Sequence, residues 1–504
     1  MAKTQEITSI QPVDTIVQEK NIASGDVDEA LKFLRDGGIS SNVEINEKAL
    51  LRKIDWMMMP LMFSVYFLQY MDKTLISYAS IMGLIEDTGM VGNDFSYLAT
   101  AFYVSFFFCE LPHAYMIQRF PTAKYLGIMV ICWGICVTMN SVCKNYASVV
   151  ALRVLLGIFE SASAPSLILL TGMWYKRSEQ PGRLGVWYQG TSIAPAIASL
   201  VAYGLLHYNN DRSFKSWQLL FLIFGLITIV AGILVFFFIP DTPMKSRLTH
   251  DEKLYAIERI RENQTGIENK HLKPKQIWEI LCDSHTWMIS LIIITSNIPN
   301  GAVSSFSSII IENFGYTNAQ TLLLNLPGCA IAFVSVYFGC WWGGRYNSRG
   351  PAIIALVIPT LLGGALMAWL PAGDKAGLLA GSFLINTVGA SLPLLYSWSS
   401  GNYAGHTKKV TMNAITLMSF CVGNIIGPLT FRDSDAPQYI PAKITIVAIL
   451  AVCMVATGLL DLMYMLENKR RDQRAQNLRP EDEIRDIEFM DLTDKENPHF
   501  RYCL

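Results

Sequence analysis

Apolar residues fall along this chain in runs of about 20, the length an α-helix needs to cross about 30 Å of hydrocarbon, and polar residues collect in the short stretches between them. Twelve such runs are predicted to be spans: 56–80, 95–118, 125–143, 147–172, 184–206 and 217–239, then 286–311, 321–343, 351–371, 377–400, 409–430 and 442–466. Several carry internal proline or glycine, which buried membrane helices tolerate. Six spans are parted from six by PDTPMKSRLTHDEKLYAIERIRENQTGIENKHLKPKQIWEIL, a charged, helix-prone segment with an apolar stripe through Leu254, Ile257 and Ile260. The pattern predicts an all-α membrane protein of twelve transmembrane helices in two six-helix bundles.

Composition agrees. Of 504 residues, 52% are hydrophobic and 16% charged, where a soluble chain would carry about a quarter charged. The charges crowd into both ends and the centre, which divides the chain into a tail (1–54), a bundle (55–239), a linker (240–284), a second bundle (285–466) and a second tail (467–504). Lysine and arginine fall on one side of the spans: Lys48, Arg52 and Lys53, then Arg119 and Lys124, Lys176, Arg177 and Arg183, Arg345 and Arg349, Lys408 and Lys409, and KRRDQR. The loops IEDTGMVGND and IENFGYTNAQ have none, and Arg212 with Lys215 is the one dissenting pair. The positive-inside rule therefore predicts that both termini are cytoplasmic. The single sequon, Asn263-Gln-Thr, lies in the linker and is expected to stay unglycosylated.

Several function classes lose ground at once. A net charge of −1 gives no sign of nucleic-acid binding, and the polar start MAKTQEITSIQPVDTIVQEK lacks the apolar core of a signal peptide. The ten cysteines are scattered singly with no metal-ligand spacing. No Gly-rich phosphate loop or nucleophile elbow is present, so neither an enzyme nor a cofactor is expected.

Charge inside the spans is the candidate chemistry. In ALRVLLGIFESASAP, Arg153 and Glu160 lie seven residues apart on one helical face, with Gly157 between them. Two turns rise about 10.5 Å, so the two do not pair with each other and each needs a partner elsewhere. An ionised group at mid-bilayer costs about 2.5–3.5 kcal/mol on insertion scales, and that face must meet protein or a wet cavity. Arg153 either ties span 4 to a neighbour's carbonyls or binds substrate. Glu160 is the candidate for proton coupling, since low dielectric favours the protonated form of a carboxyl group. In span 1, Tyr66, Gln69 and Lys73 recur at i, i+3 and i+7 on one face, with Asp72 about 100° away as a counter-charge. Lys73 either faces the cavity, where it would attract an anion, or snorkels to the outer headgroups. Glu110 is expected to pair with basic loop residues near Arg119. Span 7 holds Asn297, Asn300 and Ser304 about Pro299 and Gly301, where a helix break is expected to bare backbone groups. Span 10 holds Asn386, Tyr396, Ser397 and Trp398, and Asn297 and Tyr396 complete the candidate substrate contacts.

The short basic loops QRFPTAKYLG and GGRYNSRGP sit at matching places in the two halves, as expected of two pseudo-equivalent repeats in the major facilitator architecture. Finer motifs follow in order along the chain: DKTLISYA in span 1, LRVLLGIFESASAP with WYKRSEQPGR in and after span 4, PDTPMKSRLT and ERIRENQTG in the linker, and the ending DLTDKENPHFRYCL. The chain resembles the fungal allantoate permease branch of the anion:cation symporters within the major facilitator superfamily. It departs from that pattern in ELPHAY, where His113 stands at a place expected to be asparagine. The resemblance implies that spans 1, 4, 7 and 10 surround a central path. It also implies proton-coupled uptake of a small organic anion across the fungal plasma membrane, by a monomer whose partners are that substrate, protons and the lipid bilayer. The branch takes up allantoate, ureidosuccinate, nicotinate, pantothenate, biotin, cysteine and other small anions. A proton-driven drug exporter and a non-transporting nutrient sensor are the rival readings.

Overall fold

The computed structural model describes residues 46–176, 179–207, 214–261, 273–346, 348–371, 373–476, 493–497 and 500–504. Expectations for the tail up to residue 45, Arg177, Arg212, the Asn263 sequon and residues 477–492 fall outside these. The described residues form helices and connecting turns, without a strand.

The first bundle runs α1 (Glu47–Ala79), α2 (Asp94–Arg119), α3 (Thr122–Asn140), α4 (Tyr146–Glu160 and Ser163–Trp174), α5 (Gln180–Tyr188 and Gly190–Leu206) and α6 (Ser216–Phe238). The second runs α7 (Ser284–Glu312), α8 (Asn318–Tyr346), α9 (Arg349–Trp369), α10 (Lys375–Leu384 continued by Ser391–Asn402), α11 (His406–Leu429) and α12 (Ile440–Gln476). Among the described residues, eleven helices are long and apolar enough to cross a membrane. The twelfth, α1, is long enough at 33 residues but carries Gln69, Asp72 and Lys73 in its apolar stretch. Its polarity is the first sign that it borders something other than lipid.

Within each bundle, helices approach closely through small residues. A Cβ on Gly225 of α6 would lie 2.5 Å from the Thr138 amide nitrogen of α3. The outer flank of α6 shows the opposite chemistry, with Leu226, Ile227, Val230 and Phe237 exposed as lipid-facing side chains should be. Across the bundles α2 packs on α11, α5 on α8 and α1 on α7. Spans 2 and 8 occupy corresponding places in the two halves, as do spans 5 and 11, so the first two contacts are one contact repeated about a pseudo-dyad.

One helix differs from expectation. The break expected at Pro299 is absent, because α7 continues from Ser284 to Glu312 with the proline inside. Proline removes one donor only, and Gly301 serves packing instead: a Cβ there would lie 2.8 Å from Asn424 Cα of α11. Interruptions fall elsewhere. Helix α4 breaks immediately after Glu160, and α10 tightens to 3-10 geometry over Ile385–Ala390.

The linker divides between the halves. Its helix His250–Arg261 docks on the first bundle, where Arg259 meets Glu47 at 3.0 Å and also pairs with Glu179, and Glu252 pairs with Lys53. Its helix Pro274–Leu281 docks on the second, through Glu279 to Lys408 at 2.8 Å. The C-terminal residues close over the same face of that bundle. Asp494 meets Lys408 at 2.6 Å, Lys495 meets Asp283 at 3.3 Å, and the Arg471 guanidinium donates to the Asp494 carbonyl at 2.8 Å. Trp398 and Asn402 donate to the Cys503 carbonyl at 2.9 and 3.0 Å. Burial alone would raise the Asp283 carboxyl, but the His285 imidazole and the Lys495 ammonium outweigh it and hold it at about 2.

Candidate transport site

Between the bundles lies a cavity of about 100 Å³. Helix α1 lines it with Tyr66, Tyr70, Lys73 and Thr74, a spacing of i, i+4, i+7 and i+8 that makes one continuous helical face. Tyr103 of α2 and Tyr188 of α5 join them, and the second bundle adds Asn297, Asn300 and Ser304 from α7 with Asn386 from α10. Both ends are shut by contacts between the halves. Towards the linker, the Tyr188 hydroxyl donates to the Gly389 carbonyl at 3.2 Å. Towards the opposite face, Ser308 N–H donates to Ser77 Oγ at 3.1 Å, Ser96 Oγ donates to the Phe431 carbonyl at 2.9 Å, and Phe306 stacks on Phe431.

Lys73 is the cation that the first bundle contributes to this cavity wall, among the described residues. Its ammonium lies 3.6 Å from Glu160 Oε1, and the side chains are 11% and 0% exposed. Three phenylalanine rings surround it, Phe102 and Phe106 of α2 and Phe420 of α11, at 5.9, 5.7 and 5.6 Å from their centroids. Each ring offers its negative face to the ammonium, a contact strengthened where water is scarce. Lys73 therefore stays inside the molecule and does not reach for the headgroups.

Behind the lysine, Glu160 is packed at the end of the first segment of α4, with the Gln69 side chain beside it. Gly157 brings α4 and α2 together, since a Cβ there would lie 2.4 Å from the Phe102 carbonyl oxygen and 2.1 Å from Ser105 Oγ. Arg153, two turns earlier, reaches α1 with Nη1 3.5 Å from the Asp72 carbonyl oxygen, and its guanidinium rests 5.9 Å from the Phe221 ring. Asp72 turns away from the cavity and accepts a hydrogen bond from Trp133 Nε1 of α3. Asn297 lines the cavity, but its amide also donates to its own helix, at 2.8 Å to the Ile293 carbonyl. Tyr396 is half-buried in α10, within electrostatic reach of Tyr66 and Glu110, and is not part of the cavity wall.

Tyr66, Lys73 and Asn297 thus meet at the cavity, and Gln69, Asp72, Arg153 and Glu160 form a buried layer behind it, with Tyr396 off to one side. Glu110 departs from its expected loop partnership. Arg119 donates instead to the Tyr115 hydroxyl at 2.9 Å, while Glu110 is 2% exposed and neither of its oxygens has a hydrogen-bond partner. The layer concentrates such orphans: Gln69 Oε1, Asp72 Oδ1, Arg153 Nε and Nη2, and both oxygens of Glu160. Each unsatisfied buried group costs about 1–3 kcal/mol, so their gathering at one place makes the layer part of the candidate site. Sequence reasoning missed Tyr70 and Tyr188, though Tyr70 follows Tyr66 by one turn. It also missed Lys443 of α12, which is 6% exposed, lines the cavity, and holds its ammonium 5.4 Å from the Phe314 ring.

Paired six-helix bundles around an enclosed, charged cavity define a membrane transport protein that takes a small molecule, and not an enzyme. The chain belongs to the Major Facilitator Superfamily, whose family model matches residues 62–428. It is 38% identical to Uncharacterized transporter C417.10 of Schizosaccharomyces pombe, over 100% of this chain and 98% of that one. It is 35% identical to Thiamine pathway transporter THI73 of Saccharomyces cerevisiae, over 96% and 95%. It is likewise 35% identical to Allantoate permease of the same yeast, over 100% and 95%. In fold it is similar to the crystal structure of a bacterial homolog to human lysosomal transporter Spinster in an inward-facing and occupied conformation. That match has a TM-score of 0.60 at 14% identity, covering 80% of this chain and 96% of that one.

Proposed function

We propose that the chain imports a small organic anion together with protons by alternating access, with allantoate or a related ureido or carboxylic acid as its cargo. The observation that carries this reading is the Lys73–Glu160 pair at the cavity wall. Two unit charges 4 Å apart attract by about 4 kcal/mol at an effective dielectric near 20. A substrate carboxylate must therefore compete with Glu160 for the ammonium. Protonating Glu160 removes the competitor, so a proton and an anion favour each other's binding. Releasing the proton restores the pair and expels the anion. Tyr66, Gln69 and Asn297 supply further donors around the lysine, Arg153 and Asp72 hold α1 against α4 and α3, and Tyr396 approaches from α10. Asp72 is the second candidate for a proton-coupling role.

The cavity, about 100 Å³, is small beside the roughly 300–1,000 Å³ that holds a drug-sized ligand, which favours a small anion over a drug as cargo. The similarity to an allantoate permease supports a ureido acid, whereas the equal identity to a thiamine pathway transporter keeps a vitamin or sulfur-containing anion as the second reading. The setting proposed is the plasma membrane, with a monomer and both termini in the cytoplasm. The test is radiolabelled uptake by a permease-deficient yeast expressing this chain, against a panel of carboxylates. Saturable uptake of one of them, abolished by a protonophore, is expected. Uptake indifferent to the protonophore would remove the proton, and a panel with no transported member would remove the anion.

A further inference from the structure

We infer that Glu110 is a second proton-carrying carboxylate of the transport site, so that two protons accompany each monoanion, one on Glu160 and one on Glu110. The inference rests on the proton-coupled reading above and adds to it a residue and a stoichiometry.

Its placement carries the argument. Glu110 follows Phe102 and Phe106 at i+8 and i+4 on α2, so it continues the face whose two rings pack against the Lys73 ammonium. It is 2% exposed, both oxygens lack a hydrogen-bond partner, and among the described residues no loop cation pairs with it, since Arg119 bonds to Tyr115 at the surface. Among the described residues, the charged and titratable groups about it come from α1, α10, α11 and α4, with Cys109 and His113 beside it on α2. Lys73 comes from α1, Tyr396 from α10 and Cys421 from α11, while Glu160 and Arg153 stand on α4, which packs along α2. Asp72 lies on the far side of α1, bonded to Trp133.

Lys73 is one ammonium with two carboxylates within its influence, and it is already paired with Glu160 at 3.6 Å. An ionised carboxylate buried without a donor is costly, so Glu110 carries a proton unless the lysine turns to it or water enters. When a substrate monoanion occupies Lys73, neither glutamate retains its counter-charge and both hold protons. When the substrate leaves and the site opens to water, both can ionise and share the lysine. The sum is one monoanion and two protons inward, a net charge of +1 per cycle. An inside-negative membrane drives that movement at about 2.3 kcal/mol per charge per 100 mV, whereas a single proton would give an electroneutral cycle with no such drive.

The test uses the full chain purified into liposomes, with allantoate or whichever monocarboxylate of the uptake panel is transported, and with pH gradient and membrane potential imposed separately. Wild-type uptake is expected to respond to both. Glu110→Gln, a shape-conserving change, is expected to keep its response to the pH gradient and lose the response to potential, as the charge per substrate falls from about one to zero. An unchanged response to potential in Glu110→Gln would overturn the assignment. So would wild-type uptake that is proton-driven but electroneutral, a result that leaves the parent reading standing and needs no variant to fold. Uptake by wild type that ignores the pH gradient would instead sink the parent reading.

Discussion

At the scale of single residues, the site is a trade between desolvation and pairing. The Lys73 ammonium is faced by one carboxylate and three aromatic rings, and the Arg153 guanidinium by the Asp72 carbonyl and the Phe221 ring. Gly157 makes this geometry possible by letting α2 and α4 touch. Gly157→Val puts new carbon against the Phe102 carbonyl, where a Cβ already lies at 2.4 Å, and is expected to cost about 3 kcal/mol. Gly172→Ala, on the same span with nothing within 4 Å, serves as the control. The measurement is the yield of monodisperse protein in detergent. Loss for Gly157→Val but not Gly172→Ala is expected, and equal yields would show that α2 and α4 do not touch there. Much of this was legible beforehand. The seven-residue spacing of Arg153 and Glu160 put both on one face, and the glycine between them announced a close neighbour. The depth of Lys73 was not legible, because a span boundary uncertain by a turn moves position 73 between cavity and headgroups. Nor was the surrounding of Glu110, since its neighbours come from α1, α10 and α11, far away in sequence.

At the scale of elements, each half of the linker belongs to one bundle, and the C-terminal residues knit the linker face of the second bundle into one body. Lys408 is the hub. Its side chain is wholly buried among Glu279 of the linker, Asp283 at the start of α7, and Asp494. Lys408→Ala leaves these carboxylates without their central cation, and breaking a buried pair in this way costs about 3–5 kcal/mol. A lower melting temperature of the solubilised protein is expected, and the same for Asp494→Asn to a smaller degree. Unchanged melting in both would show that the C-terminal residues contribute nothing to the bundle. No hydropathy pattern announces this docking, because DLTDKENPHFRYCL reads as a polar tail, yet Thr493, Asp494 and Tyr502 are buried. Polar residues can form a buried element when each finds a donor or acceptor, and pairing of that kind leaves no periodic trace. The expected break at Pro299 failed for a related reason. A proline predicts a lost hydrogen bond, but α7 runs on through it unbroken, with Gly301 packed closely against Asn424 of α11.

At the scale of the whole molecule, eleven spans among the described residues were readable from run length and apolarity, because lipid imposes one requirement on every exposed helix, while α1 departs from it at Gln69, Asp72 and Lys73. The pairing of α2 with α11 and α5 with α8 followed from two repeated halves and could not be read from any single span. What the assembly does with this symmetry is enclose a cavity lined on one side by α1 and on the other by α7 and α10, with contacts between the halves at both ends. The central claim is that Lys73 and Glu160 couple the movement of an anion to that of a proton across this enclosure. It is tested most directly by the pH dependence of saturable carboxylate uptake in Lys73→Ala and Glu160→Gln, with protein at the cell surface measured in parallel. Lys73→Ala is expected to abolish uptake at normal surface levels, and Glu160→Gln to make the pH profile shallower than that of wild type, with Glu110 still carrying a proton. Uptake by Lys73→Ala equal to wild type, or a Glu160→Gln profile that rises with acidity as steeply as wild type does, would contradict it.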